Sequence, residues 1–213
     1  KSLLAGRLLS VLAVTITAYF LFLIGKNFYG IKVGLLSATF YSFFPSSVFF
    51  LTVIKMEPLQ IMFLVMAIYS YIKFYYDDKF FFLFLSGFLS SISAFTRPSG
   101  FLIMPLFFVL TIYKYKEYLN KNLKKFIIIE SYFIIGVLIP LFVFFFYFYF
   151  TSDIFLILKY LFFGYGNKNL SFSALFFSFA SFFSLNIYFL FVLIILLFLF
   201  SKDFFQKKHF IFG

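Results

Sequence analysis

Apolar runs broken by charged residues or by Gly and Pro recur along the whole chain. Seven separate cleanly, at 8–24, 33–53, 59–75, 80–95, 101–113, 126–150 and within 171–200. Several approach the roughly 20 residues that the hydrocarbon core of a bilayer requires of a helix. An open sheet in lipid would leave backbone N–H and C=O groups unpaired, so every run is predicted as a helix. The abundant Phe does not argue for strands, because it serves as lipid-compatible bulk. The phenylalanine-rich stretch 141–150 reads as lipid-facing helix surface. The run 171–200 is long for one span. Its first half, with five Ser among Phe, is predicted to lie along the interface before the helix dips in. The predicted architecture is all-α, a polytopic transmembrane bundle of about seven spans forming a single domain over 1–213.

Composition sharpens that picture. Apolar residues make up 64% of the 213 positions and charged residues 12%, with a mean hydropathy of +1.08. A soluble domain carries roughly 25% charged residues to coat its surface, so a soluble globule is excluded. The formal charge of +11 does not point to nucleic acid. Nucleic-acid binders gather Lys and Arg on one face, whereas here the bases are scattered in short loops. With no Cys, disulfides, thiolate metal sites and Cys nucleophiles are excluded. The single His, His209, lies in a basic stretch near the C-terminus, which leaves no histidine metal site. No internal repeat, Gly-rich phosphate loop, nucleophile elbow or zinc spacing is present, so no cofactor is expected.

Charge also sets orientation. If the loops alternate sides, the N-terminal side holds six bases: Lys1, Arg7, Lys55, Arg97, Lys159 and Lys168. The other side holds twelve, among them Lys26, Lys32, Lys79, Lys114 and Lys125. The positive-inside rule makes the twelve-base side cytoplasmic, which puts the C-terminus inside and the first residues outside. The chain opens on Lys1 with no signal-peptide pattern ahead of its first apolar run. An external start calls for a preceding span, so the sequence is expected to be a fragment of a longer protein.

Three places on the external side carry residues suited to chemistry. In Lys55-Met56-Glu57-Pro58, Pro58 fits the first turn of a helix and Glu57 its positive end. That is a helix start beside a snorkelling lysine, or else a water-accessible pocket in which Lys55 holds a phosphate and Glu57 orients it or a sugar hydroxyl. Thr96-Arg97-Pro98-Ser99-Gly100 reads as a tight turn between two spans. The chain has only two Arg against 16 Lys, and a guanidinium fork can hold phosphate bidentately where Lys cannot. Phosphate binding is therefore the favoured reading of Arg97. Arg7, after Gly6, is either an interfacial anchor or a third phosphate donor. The external stretch 151–169 is a possible lid without a specific motif.

The order of Gly6-Arg7-Leu8-Leu9-Ser10, Gly25-Lys26, Tyr29-Gly30, Phe44-Pro45-Ser46-Ser47, Lys55-x-Glu57-Pro58 and Thr96-Arg97-Pro98-x-Gly100 resembles the GT-C superfamily. These are polytopic glycosyltransferases that use polyprenyl- or dolichyl-phosphate sugars. They include protein O-mannosyltransferases, the aminoarabinose transferase of lipid A and the second mannosyltransferase of GPI-anchor synthesis. The Pro-Ser-Ser segment, the Glu that follows and the Arg-x-x-Gly turn look most like the GPI type. The resemblance covers residues 5–113 and implies an active site facing the lumen or periplasm. It implies a polyprenyl- or dolichyl-phosphate sugar donor, an acceptor glycan, lipid or protein, and a hexose such as mannose transferred with inversion. On it, Arg7, Lys55 and Arg97 match positions for the carrier phosphate, and Glu57 matches an acidic position near the site. In such families the catalytic carboxylate lies in the first external loop, expected N-terminal to this sequence, so the base is unassigned unless Glu57 serves. The host membrane would be the cell membrane in a prokaryote and the endoplasmic reticulum in a eukaryote.

Two other classes compete. A transporter places ionisable groups in mid-membrane, whereas here the only charge near a helix interior is Glu130, close to a cytoplasmic end, and the helix centres hold none. A non-catalytic membrane scaffold would tolerate neutralising Arg97 and Glu57, whereas a transferase would not.

Overall fold

The computed structural model describes residues 2–52, 56–115 and 123–151, and among these there is no strand. The helices are α1 (Ser2–Tyr29), α2 (Ile31–Phe43), α3 (Pro45–Thr52), α4 (Glu57–Asp77), α5 (Phe80–Thr96), a 3₁₀ turn (Pro98–Leu102), α6 (Ile103–Lys114) and α7 (Leu123–Thr151). Six of the seven predicted segments fall on these helices. The seventh, within 171–200, lies outside the described residues, as does the stretch 152–169. The chain divides into two compact units, 1–144 and 145–213, and the contacts below belong to the first.

Among the described residues three helical stretches are long and apolar enough to cross a membrane: Leu4–Tyr29, Glu57–Asp77 and Leu123–Tyr147. Shorter apolar helices accompany them at Ile31–Phe43, Phe80–Thr96 and Ser99–Lys114. The segment 33–53, expected as one helix, is broken in two. Proline disfavours the α conformation in the residue before it. Phe44, which precedes Pro45, is accordingly extended at φ −62°, ψ 134°, and α2 ends there.

Successive helices run up and down. Gly30, at φ 90°, turns the chain between α1 and α2. The two helices then pack so closely that a Cβ on Gly25 would come within 2.8 Å of Gly34 Cα. Phe20 meets Tyr69 and Phe28 meets Tyr76, which makes α1 and α4 parallel. α5 returns antiparallel to α4, with Phe74 near Phe80 at one end and Glu57 near Arg97 at the other. α6 descends parallel to α4 through Tyr71 stacked on Phe107. α7 rises with α5 through Phe80–Tyr132 and Phe95–Phe144.

Packing is inside-out relative to a soluble protein. Large apolar side chains such as Leu12, Leu35, Phe40 and Phe142 face outward. Ser86, Ser90, Ser91, Ser93, Thr17 and Thr111 are buried instead. In lipid, helices associate through close van der Waals packing, which small residues permit. Most of these hydroxyls return a bond to a carbonyl three or four residues back. Two reach another helix, Ser91 to the Val137 carbonyl and Ser93 to the Gln60 carbonyl. Pro140 also lies inside α7, and its missing N–H interrupts the helical ladder at the Gly136 carbonyl. A cluster of Ala67, Tyr71, Phe74, Leu83, Phe107, Ile129 and Phe133, among others, fills the space between α4, α5, α6 and α7.

Candidate functional site: an ion-paired corner at one end of the bundle

The alternation of helices gathers the start of α1, α3, the start of α4 and the turn from α5 to α6 at one end. Among the described residues this end holds two bases, Arg7 and Arg97. The opposite end holds seven, all lysines: Lys26, Lys32, Lys73, Lys79, Lys114, Lys124 and Lys125.

The corner is built from two helix ends. α4 begins with Glu57 and a buried Pro58. Gln60 follows, three positions after Glu57 on the same helix face, and is only 9% exposed. Across from it, α5 stops at Thr96, whose hydroxyl bonds the Ser93 carbonyl, and Arg97 takes an extended conformation. The turn then folds back on α5. A Cβ on Gly100 would come within 2.6–2.8 Å of the Ser93–Ala94 backbone, so glycine is needed there. Gln60 joins the two parts: its side-chain amide donates to Ser99 Oγ at 2.6 Å, and its main-chain carbonyl accepts from Ser93 Oγ at 3.1 Å. Held in this way, Arg97 Nη1 donates to Glu57 Oε1 at 2.9 Å, with 52% of the arginine side chain and 25% of the glutamate side chain exposed.

Arg97 and Glu57, 40 positions apart, are thus brought together as one ion pair. Arg7 is exposed in the second turn of α1. By the Phe20–Tyr69 and Phe28–Tyr76 offset it stands level with the start of α4, at the same end of the bundle as the pair. Lys55 lies outside the described residues. Gln60 is not marked by any motif of the sequence, and Ser99 is marked only as part of the turn. A lone amide three residues past Glu57, inside an otherwise apolar run, was the signal for the first of them.

The opposite end is fastened differently. Asp78 closes α4 in the left-handed conformation, φ 54°. Lys114 Nζ donates to the Phe74 and Tyr75 carbonyls and to Asp78 Oδ1, and the Tyr115 hydroxyl donates to the same carboxylate oxygen at 2.7 Å. Burial pushes the Asp78 carboxyl up, but these two bonds and the lysine charge outweigh it and hold the group below the usual carboxylate range. A lysine that caps a helix C-terminus in this way is a structural clamp. Among the described residues no group of His, Cys, Asp and Glu is arranged to hold a metal ion.

Chemically, the corner offers a half-exposed guanidinium with one donor engaged and a carboxylate beside it, on a bundle whose outer surface suits lipid. That is an integral membrane protein with a half-exposed, ion-paired arginine at one end of its bundle. The chain belongs to the dolichyl-phosphate-mannose-protein mannosyltransferase family, whose sequence model matches residues 1–144, and so to the membrane glycosyltransferases of GT-C type. No curated protein and no solved structure gives a significant match to it.

Proposed function

We propose that the protein transfers a mannose-like hexose from a polyprenyl- or dolichyl-phosphate carrier to an acceptor on the external or lumenal face, a protein acceptor being the one the family's description names. Arg97 holds the leaving phosphate, with Lys55 and Arg7 as further cationic donors. A base removes the proton of the acceptor hydroxyl, and the oxygen attacks the anomeric carbon. The bond from that carbon to the phosphate oxygen breaks, and its electron pair leaves with the carrier. Positioned cations lower the barrier by meeting the charge that develops on the departing phosphate. The observation carrying this reading is the half-exposed Arg97, fixed by the Gln60–Ser99 and Ser93–Gln60 bonds at the end of the bundle that also bears Arg7.

The test is sugar transfer from a polyprenyl-phosphate donor by the full-length protein in detergent, comparing wild type with Arg97→Lys and Arg97→Ala. Lysine keeps the charge but not the planar fork. Losing one charge-assisted bond that strengthens in the transition state costs about 1.5–3 kcal/mol, so Arg97→Lys should turn over roughly tenfold to a hundredfold more slowly. Full turnover and donor affinity in both variants would reduce Arg97 to an interfacial anchor and favour a non-catalytic scaffold.

A further inference from the structure

Glu57 binds the guanidinium through one oxygen and one nitrogen only, Oε1 to Nη1. A guanidinium has five N–H donors, and phosphate is best gripped by two of them in parallel. The pair is therefore a partial engagement at a partly solvated edge. It lies at the mouth of the bundle, where both side chains remain open to solvent. A phosphate drawn to Arg97 while Glu57 stays bonded would place two anions on one cation. The carboxylate stands on the first turn of α4, where side-chain rotation alone can carry it off the guanidinium without moving the helix.

We propose that Glu57 is the internal counter-anion of Arg97: it occupies the guanidinium when the site is empty, yields it to the phosphate of the lipid carrier, and returns as the spent carrier departs. The proposal rests on the reading of Arg97 as a phosphate holder and adds to it a role for Glu57 as competitor. The competition serves turnover. After the sugar has gone, the carrier ends in a monophosphate, which bears more negative charge than the sugar-linked diester it arrived as. A fixed cation without a rival would hold this product harder than the donor. An anion waiting within bonding distance shortens its stay, and in the empty site it keeps the corner neutral against unrelated anions. A mere helix-start role for Glu57 predicts unchanged phosphate affinity when the carboxylate is removed, and a role in aiming Arg97 predicts weaker binding.

The experiment uses the full-length protein in detergent, with a short-chain polyprenyl monophosphate as probe, binding measured by calorimetry and inhibition measured in the transfer assay. Four proteins are compared: wild type, Glu57→Gln, Arg97→Ala and the double variant. Glu57→Asp serves as a second removal of reach that keeps the charge on the helix end, and gel filtration checks that each protein is monodisperse. A partly exposed pair couples weakly, by about 1 kcal/mol at most, so Glu57→Gln should bind the monophosphate about twofold to fivefold more tightly. It should lower kcat and KM together as product release slows. Glu57→Asp should shift binding the same way by less, and the double variant should bind like Arg97→Ala alone. If Glu57→Gln binds equally or more weakly while Arg97→Ala loses affinity, the exchange is wrong and the phosphate-holding role of Arg97 stands. Tightening that persists in the Arg97→Ala background also overturns the exchange, since the carboxylate then acts by general repulsion. If Arg97→Ala binds like wild type, the phosphate reading itself fails and the exchange with it.

Discussion

Asp78 joins a backbone task to an electrostatic one, and the two can be separated. Its left-handed φ suits Asp or Asn, so Asp78→Asn keeps the turn and removes only the charge that Lys114 and Tyr115 address. The folded carboxyl titrates below its unfolded value of about 4. Its contribution is therefore complete above the unfolded value and is lost as pH falls through the folded one. Because 66% of this side chain is exposed, the amount is small, at most about 1 kcal/mol. Asp78→Asn should lower the detergent melting temperature slightly at neutral pH and match wild type in acid; an unchanged gap at both pH values would separate the effect from this carboxyl. Glu130 is the opposite case. It is 4% exposed inside α7, and neither of its oxygens has a hydrogen-bond partner among the described residues. Replacing an uncompensated buried ionisable group by an apolar one of similar volume is commonly neutral or stabilising, so Glu130→Met should raise the melting temperature, by about 1 kcal/mol or more in stability. A clear fall would mean that a group outside the described residues bonds the carboxyl. Arg97 and Glu57 were legible in the sequence one by one, as rare charges beside proline at apolar run ends. Their pairing was not, because a contact 40 positions apart depends on the register of α4 against α5. Lys55, expected beside Arg97, lies outside the described residues, and Glu57 is the partner that is seen.

The apolar pattern located the helices well, since in lipid an apolar run has no other way to satisfy its backbone. The break at Phe44 escaped that pattern because hydropathy does not register a proline flanked by apolar residues, although the conformational rule for the residue before proline was readable. The serines of α5 were equally hard to place from composition. They look like polar interruptions, yet they form the face against which α4 and α7 pack. The tightest approach in that interface involves two glycines. A Cβ on Gly136 would strike the carbonyl of Phe84, and one on Gly87 the carbonyl of Phe133. Neither contact can yield cheaply, since both obstructing atoms are backbone. Gly136→Ala and Gly87→Ala should each destabilise the bundle by about 1–3 kcal/mol, read as a lower melting temperature in detergent. Unchanged melting in both variants would show that α5 and α7 pack less closely than described.

At the scale of the whole molecule, helix geometry and loop charge are independent arguments that bear on the same question. The contacts between helices say which ends lie together, without reference to a membrane. Arg7, Glu57 and Arg97 share one end, and Lys26, Lys79 and Lys114 share the other. Charge then says which end faces the cytoplasm, because Lys and Arg in short loops are retained on that side. Seven bases against two among the described residues support the proposal that the lysine end lies inside and the Arg97–Glu57 corner outside, where the proposed lipid-linked donor would be met. The chain has no Cys, so single cysteines can be introduced on a silent background. Met56, 63% exposed beside Glu57, and Lys79, exposed at the start of α5, sample the two ends without touching the ion pair. In intact cells or sealed vesicles of native orientation, a membrane-impermeant maleimide should label Met56→Cys at once. It should reach Lys79→Cys only after permeabilisation. The reverse pattern would invert the topology, place Arg97 in the cytoplasm and remove an external active site from consideration. Labelling of both positions before permeabilisation would show that the bundle does not separate two compartments, and the membrane-spanning arrangement of α4 and α5 would fall with it.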